Sequence, residues 1–173
     1  MKTLVSISAR FLDGWDRLYA NSQAMCTSFK QELMNGSHAF GAQGANAVRT
    51  VTTKDTFKAA LYLASASRGA GDTVYNSTGE VSGTNYTAGG VAVTNATAPT
   101  TSGTTAYWTP SASIVYTTVT LSTAFDAVLI YNDASTSKLA CSVHTFGSQT
   151  VTAGTFTLTM PTNDASNALL RIA

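Results

Sequence analysis

Residues 124–132, AFDAVLIYN, decide how the rest of the chain is read. Their centre, Val128-Leu129-Ile130-Tyr131, is an unbroken apolar run dominated by β-branched and aromatic side chains. Such a run is too short for an ordinary buried helix, and it is how a strand covered on both faces is written. Asp126 bounds it on one side and Asn132-Asp133 on the other, so the stretch predicts a strand near the middle of a sheet. Weaker segments around it alternate polar and apolar residues, the pattern of strands with one wet face. Phe57–Leu63, FKAALYL, is apolar enough for a second inner strand. Residues 113–121 read as a separate, half-exposed strand ahead of the central one. After a turn at residues 132–137, residues 138–146, KLACSVHTF, read as its hairpin partner, and Gly147 opens the next turn. Residues 154–160 alternate cleanly, with Phe156, Leu158 and Met160 facing inward. Short strands are predicted at Ala106-Tyr107-Trp108, stopped by Pro110, and over residues 167–173, whose apolar end predicts a docked C-terminus.

Composition narrows the class. Charged residues are 11% of the 173, against roughly 25% in an average soluble domain. The net charge of +1 gives no electrostatic footprint for nucleic acid. Ser, Thr and Asn supply the missing polarity, and these residues avoid helix interiors while suiting strands and turns. A charge-poor surface repels its own kind weakly, which fits a protein packed into something larger. The length suits one well-buried domain. No run is long and apolar enough for a helical membrane span, and no window reads as a secretory signal, so no membrane partner is expected. Cys26 and Cys141 stand far apart without metal-ligand spacing and are expected to be free intracellular thiols.

Two helices are predicted ahead of the strands. Ser8 can cap the first, in which Phe11, Leu12, Trp15, Leu18 and Tyr19 recur at roughly helical spacing. Asn21 or Ser22 can cap the second, with Met25, Cys26, Phe29, Leu33 and Met34 as its apolar stripe and Asn35-Gly36 as its stop. Residues 35–50 then read as a loop in which His38 makes a local hydrogen bond. Gly89-Gly90 marks a tight turn, and residues 94–104 read as a polar loop. The expected organisation is an N-terminal helical or arm segment with a Gly/Ala-rich link, residues 1–50, and a β body, residues 51–173. The body from about residue 55 is expected to fold without residues 1–34 as an attachment element, and the alternative keeps those helices packed on the sheet of their own chain. The expected fold class is mainly β: an antiparallel β-sandwich, jelly-roll-like, with one or two N-terminal helices.

No catalytic arrangement is legible, and no enzymatic activity, cofactor or metal is expected. Cys141 and His144 are three apart on one predicted strand, so their side chains point to opposite faces. Asp126 and Asp133 could hold a cation with Asn132, but turn capping explains them more simply. Glu80 stands alone between glycines, which leaves no carboxylate pair for glycoside hydrolysis. Tyr86, Tyr107 and Trp108 could form a sugar platform, and could equally be core or interface residues. Interfaces favour Trp and Tyr, so the residues expected to meet a partner are Phe11, Trp15, Tyr19, Phe29, Leu33, Tyr107 and Trp108.

Several segments resemble a family of small structural proteins of tailed-bacteriophage particles. They are residues 55–62 (DTFKAALY), 35–40 (NGSHAF), 80–90 (EVSGTNYTAGG), 125–132 (FDAVLIYN), 154–159 (GTFTLT) and 164–172 (DASNALLRI). The resemblance spans roughly residues 29–173, while residues 1–28 fit it less well. It implies a virion protein that passes through the host cytoplasm during assembly. A capsid decoration or cement subunit is the leading expectation, with the major capsid protein or other virion proteins as partners and a homo-oligomer as its state. The alternative is a neck, tail or fibre component with a receptor- or glycan-binding face.

Overall fold

The structure is a computed structural model that describes residues 20–41 and 53–173. Along the chain run β1 (Ala24–Met25), α1 (Thr27–Met34), β2 (Phe57–Leu63), β3 (Val91–Val93), β4 (Thr100–Ser102), β5 (Thr105–Trp108), β6 (Ile114–Asn132), β7 (Ala140–Leu158) and β8 (Leu170–Ile172). The fold is mainly β, with two antiparallel sheets and one N-terminal helix among the described residues. The larger sheet has the order β1-β7-β6-β2-β3, and the smaller β4-β5-β8. The predicted central strand is the second half of β6, flanked by β7 and β2. Its residues from Ala127 to Asn132 are all buried. The register sets Ala59 beside Ile130 and Ala60 beside Leu129, so the strand has apolar lateral neighbours on both of its faces.

The hairpin of β6 and β7 departs from expectation. Residues 113–121 and 124–132 belong to one strand, and Gly147, expected to open a turn, lies inside β7 at φ +81°. The pairing shifts register repeatedly between Tyr116 and Ala127, and Thr118 and Ala153 also take positive φ. Each bulge offsets the in–out alternation by one residue, and along the sequence such an offset looks like the end of a strand. A further strand, β4, lies within the expected polar loop. Ser102 pairs with Thr105 across a two-residue loop whose Gly103 sits at φ +57°, the twist such hairpins need.

The helix begins later than its sequence suggests. Cys26 is its N-cap, with no side-chain capping bond. Asn21 and Ser22 are engaged elsewhere: Asn21 Oδ1 accepts from Arg68 N at 2.9 Å, and Ser22 N donates to Arg68 O. Ala24 and Met25 pair with Val143 and Ser142 instead of starting the helix. The stop is as expected, with Gly36 at φ +68° and Gly36 N and Ser37 N donating to Leu33 O and Glu32 O. His38 is held by more than a local bond. Its Nε2 lies 2.8 Å from Glu32 and its Nδ1 3.1 Å from Asn132 Nδ2, on the central strand.

Residues 20–41 share one core with the strands. Phe29 and Phe40 are buried with Phe57 and Trp108; the Phe40 and Phe57 rings stack at 4.4 Å, and Trp108 meets Phe40 edge-on at 4.8 Å. Burying each such ring contributes about 1.5–3 kcal/mol. The helix therefore packs against the sheet of its own chain. The predicted first helix, with Phe11, Trp15 and Tyr19, lies outside the described residues, as does most of the Gly/Ala-rich link.

Candidate interaction surface

Phe29 and Trp108, expected at an interface, are 1% and 2% exposed. Trp108 also spends its indole N–H inside the chain, on Thr97 O at 2.9 Å and Asn95 Oδ1 at 3.2 Å. Leu33 and Tyr107 are only half-buried, and the structure brings them together. They line a narrow apolar cleft of about 90 Å³ between α1 and the small sheet, with Phe40, Pro99 and Ile172. Leu33 and Ile172 also line a second hollow of about 410 Å³, together with Met25 and Met34. Lys30 and Arg171 also line it. Met34 is 88% exposed and Ile172 50%. A single exposed apolar side chain is ordinary, but two around one groove, joined by half-buried Leu33, make a patch suited to a partner.

Glu80 is far from solitary. Its Oε2 accepts from Tyr75 Oη at 2.6 Å, and its Oε1 accepts from Tyr86 Oη at 2.7 Å and Gly89 N at 2.8 Å. Tyr86 Oη in turn accepts from Leu61 N at 3.0 Å, and Tyr131 Oη donates to Gly89 O at 2.8 Å. Gly90 must be glycine: it sits at φ +73°, and a Cβ there would lie 1.7 Å from Ala59 O. The carboxylate thus fastens the glycine-rich segment onto β2. Burial, then the bond to Glu80, pushes the Tyr75 hydroxyl up to about 12 and that of Tyr86 further. Both remain neutral donors. Tyr86 is a brace rather than part of a sugar platform.

The acidic residues singled out by sequence are engaged by partners within the chain. Asp126 sits within β6 rather than at its end, and its Oδ1 accepts from Asn21 Nδ2 at 2.6 Å. Lys138 and Lys58 sit 2.8 and 3.4 Å from the Asp133 carboxylate; the Lys138 hydrogen bond, against some desolvation, holds its pKa below the usual range. Asn132, not an aspartate, caps the turn, its Oδ1 accepting from Ala134 N and Ser135 N. Among the described residues no three His, Cys, Asp or Glu side chains converge as a metal site.

A polar groove of about 730 Å³ runs between β1 and β8, with Ser142 and His144 in its wall beside Gln23, Thr105, Asn167 and Arg171. Ser142 Oγ and His144 Nε2 share a hydrogen bond at 2.8 Å. Burial pulls the imidazole down to about 4, so the ring is neutral and a poor base near pH 7. Among the described residues no carboxylate orients its other nitrogen, so the pair lacks the third group of a nucleophilic relay.

Among known proteins, no family model, no characterised protein and no solved structure matches the chain.

Met34 and Ile172 were missed as surface residues, and one of the two was legible. Cys26, Phe29 and Leu33 are spaced three and four apart and define the buried stripe, whereas Met34 is five beyond Phe29 and so off that stripe. Ile172 carries no such signal, because its exposure depends on where β8 docks against β5.

Proposed function

We propose that the protein is a structural subunit of a tailed-bacteriophage virion that decorates or cements the head through protein–protein contacts. The observation that carries this reading is the apolar face on which Met34 and Ile172 stand exposed around one groove with Leu33. The charge-poor composition and the resemblance to phage structural proteins support it. The resembling segments have structural roles in this fold: residues 55–62 enter β2, 125–132 end β6, and 80–90 form the glycine segment fastened by Glu80. The partner is the major capsid protein or another virion protein, with copies of this chain arranged by the particle's symmetry. Symmetry repeats a modest contact many times, so each need not be large. The two sheets close as a sandwich in this reading, with Trp108 of the small sheet over Phe57 of the large one at 6.0 Å between ring centres.

Cryo-electron microscopy of intact particles tests the proposal. The expected result is many copies on the head with Met34 and Ile172 covered. Low copy number confined to the neck or tail overturns it and favours the second reading, a neck, tail or fibre component. The polar groove supports that second reading, since its amides, hydroxyl and guanidinium could bind a glycan. Met34→Glu with Ile172→Asp should abolish attachment to particles while leaving the fold intact.

A further inference from the structure

Cys26 and Cys141, 115 positions apart in sequence, lie at opposed backbone positions where β1 runs beside β7; their thiols contact Gly69 O and Leu139 O at 3.9 and 3.8 Å. The β1–β7 register sets Ala24 against Val143 and Met25 against Ser142, and its next step sets Cys26 against Cys141. Cys26 N donates to Cys141 O at 3.0 Å, so the pairing continues to that point. Directly opposed residues project to the same face of a sheet. Both side chains are 0% exposed, and both thiols are free. We propose that Cys26 and Cys141 are a redox-sensitive pair that forms a reversible cross-strand disulfide, stapling the β1–α1 segment to β7.

Opposed hydrogen-bonded residues have Cα atoms about 5.5 Å apart, within the range of about 4.4–6.8 Å that a disulfide spans. Their Cβ atoms lie about 4.5–5.5 Å apart, whereas a disulfide holds them at roughly 3.8 Å. The bond therefore draws the strands together by about 1 Å. Whether the pair is oxidised then follows the redox poise of the medium, which is what a reversible staple requires.

The oxidant is a small-molecule disulfide such as oxidised glutathione. One cysteine loses its proton and attacks the S–S bond, giving a mixed disulfide and one free thiol. The second cysteine loses its proton and displaces the other half as a second thiol. Two protein thiols are oxidised, and one small disulfide is reduced to two thiols. Burial keeps both cysteines protonated, with Cys26 pushed up to about 12 and Cys141 also raised, so the closed form reacts slowly. Exchange proceeds when the two-residue β1 and the short α1 lift from the sheet, and the staple then holds them down. A particle assembled in a reducing cytoplasm and released into an oxidising medium would carry the pair from one state to the other. That consequence rests on the proposed function; the bond itself does not, and the isolated protein tests it alone.

The experiment incubates the full chain with oxidised glutathione, with and without low urea, and maps peptides under non-reducing conditions. The expected result is a peptide pair joining Cys26 to Cys141, loss of both free thiols, and faster formation in urea. Melting temperature should rise on the order of 5 °C, reversed by dithiothreitol. Cys26→Ser and Cys141→Ser should each remove the rise, and the wild-type peptide map stands whether or not those variants fold. Stable glutathione adducts, intermolecular dimers, or two thiols still free after incubation in urea would overturn the proposal.

Discussion

Glu80 shows how much structure one side chain can hold. Three donors converge on it, from Tyr75, Tyr86 and the backbone of Gly89, and all three lose their acceptor if it is removed. An unsatisfied buried donor costs more than the bond itself was worth. Glu80→Ala should therefore lower unfolding free energy by about 2–4 kcal/mol in urea denaturation, and Glu80→Gln, which keeps an acceptor oxygen, by less. His144 makes a pH prediction at the same scale. Its folded pKa is depressed to about 4 from 6.5 by burial, so the unfolded chain takes up the proton first. Stability from this residue is full above about pH 6.5, falls as pH drops, and levels off below about pH 4. The loss across that window is roughly 3 kcal/mol, and His144→Gln should flatten it in melts recorded against pH.

The helix separates two kinds of apolar residue that sequence had grouped together. Phe29 fills the core against Phe40, while Met34 on the same helix faces outward. Phe29→Ala should cost about 3–5 kcal/mol, the sum of lost burial and an unfilled cavity. Met34→Ser should change stability by less than about 0.5 kcal/mol, since nothing it leaves was buried. Thermal melts of the two variants give the comparison directly. Equal losses would mean that Met34 is covered within the chain. In β6 and β7 the same distinction of faces survives only between bulges, because each shift of register exchanges inside for outside.

For the molecule as a whole, the packing of residues 20–41 decides whether the β body stands alone. Cys26, Phe29 and Phe40 belong to the same core cluster as Phe57, Trp108 and Val143. A chain beginning at Val51 would leave those partners in water. It should aggregate or bind a hydrophobic dye without a cooperative melt, as measured by calorimetry and dye fluorescence. A sharp transition at the full-length temperature would instead support the view that the N-terminal segment is a separate attachment element.

The sequence by itself determined the elements whose pattern is local. The run Val128-Leu129-Ile130-Tyr131 and the apolar β2 have to be inner strands, because side chains so apolar must be covered on both faces. The Asn35-Gly36 stop and the Gly89-Gly90 turn follow from glycine's access to positive φ. Tertiary structure decided everything that depends on distant partners. Glu80 becomes an anchor only because two tyrosines and Gly89 fold back on it. Asn21 gives up a capping role for Arg68 and Asp126, 47 and 105 residues away. Trp108 goes to the core and Met34 to the surface, although either is apolar enough for either place. Hydrophobicity says that a side chain prefers to be covered, and only the assembled neighbours say which ones are.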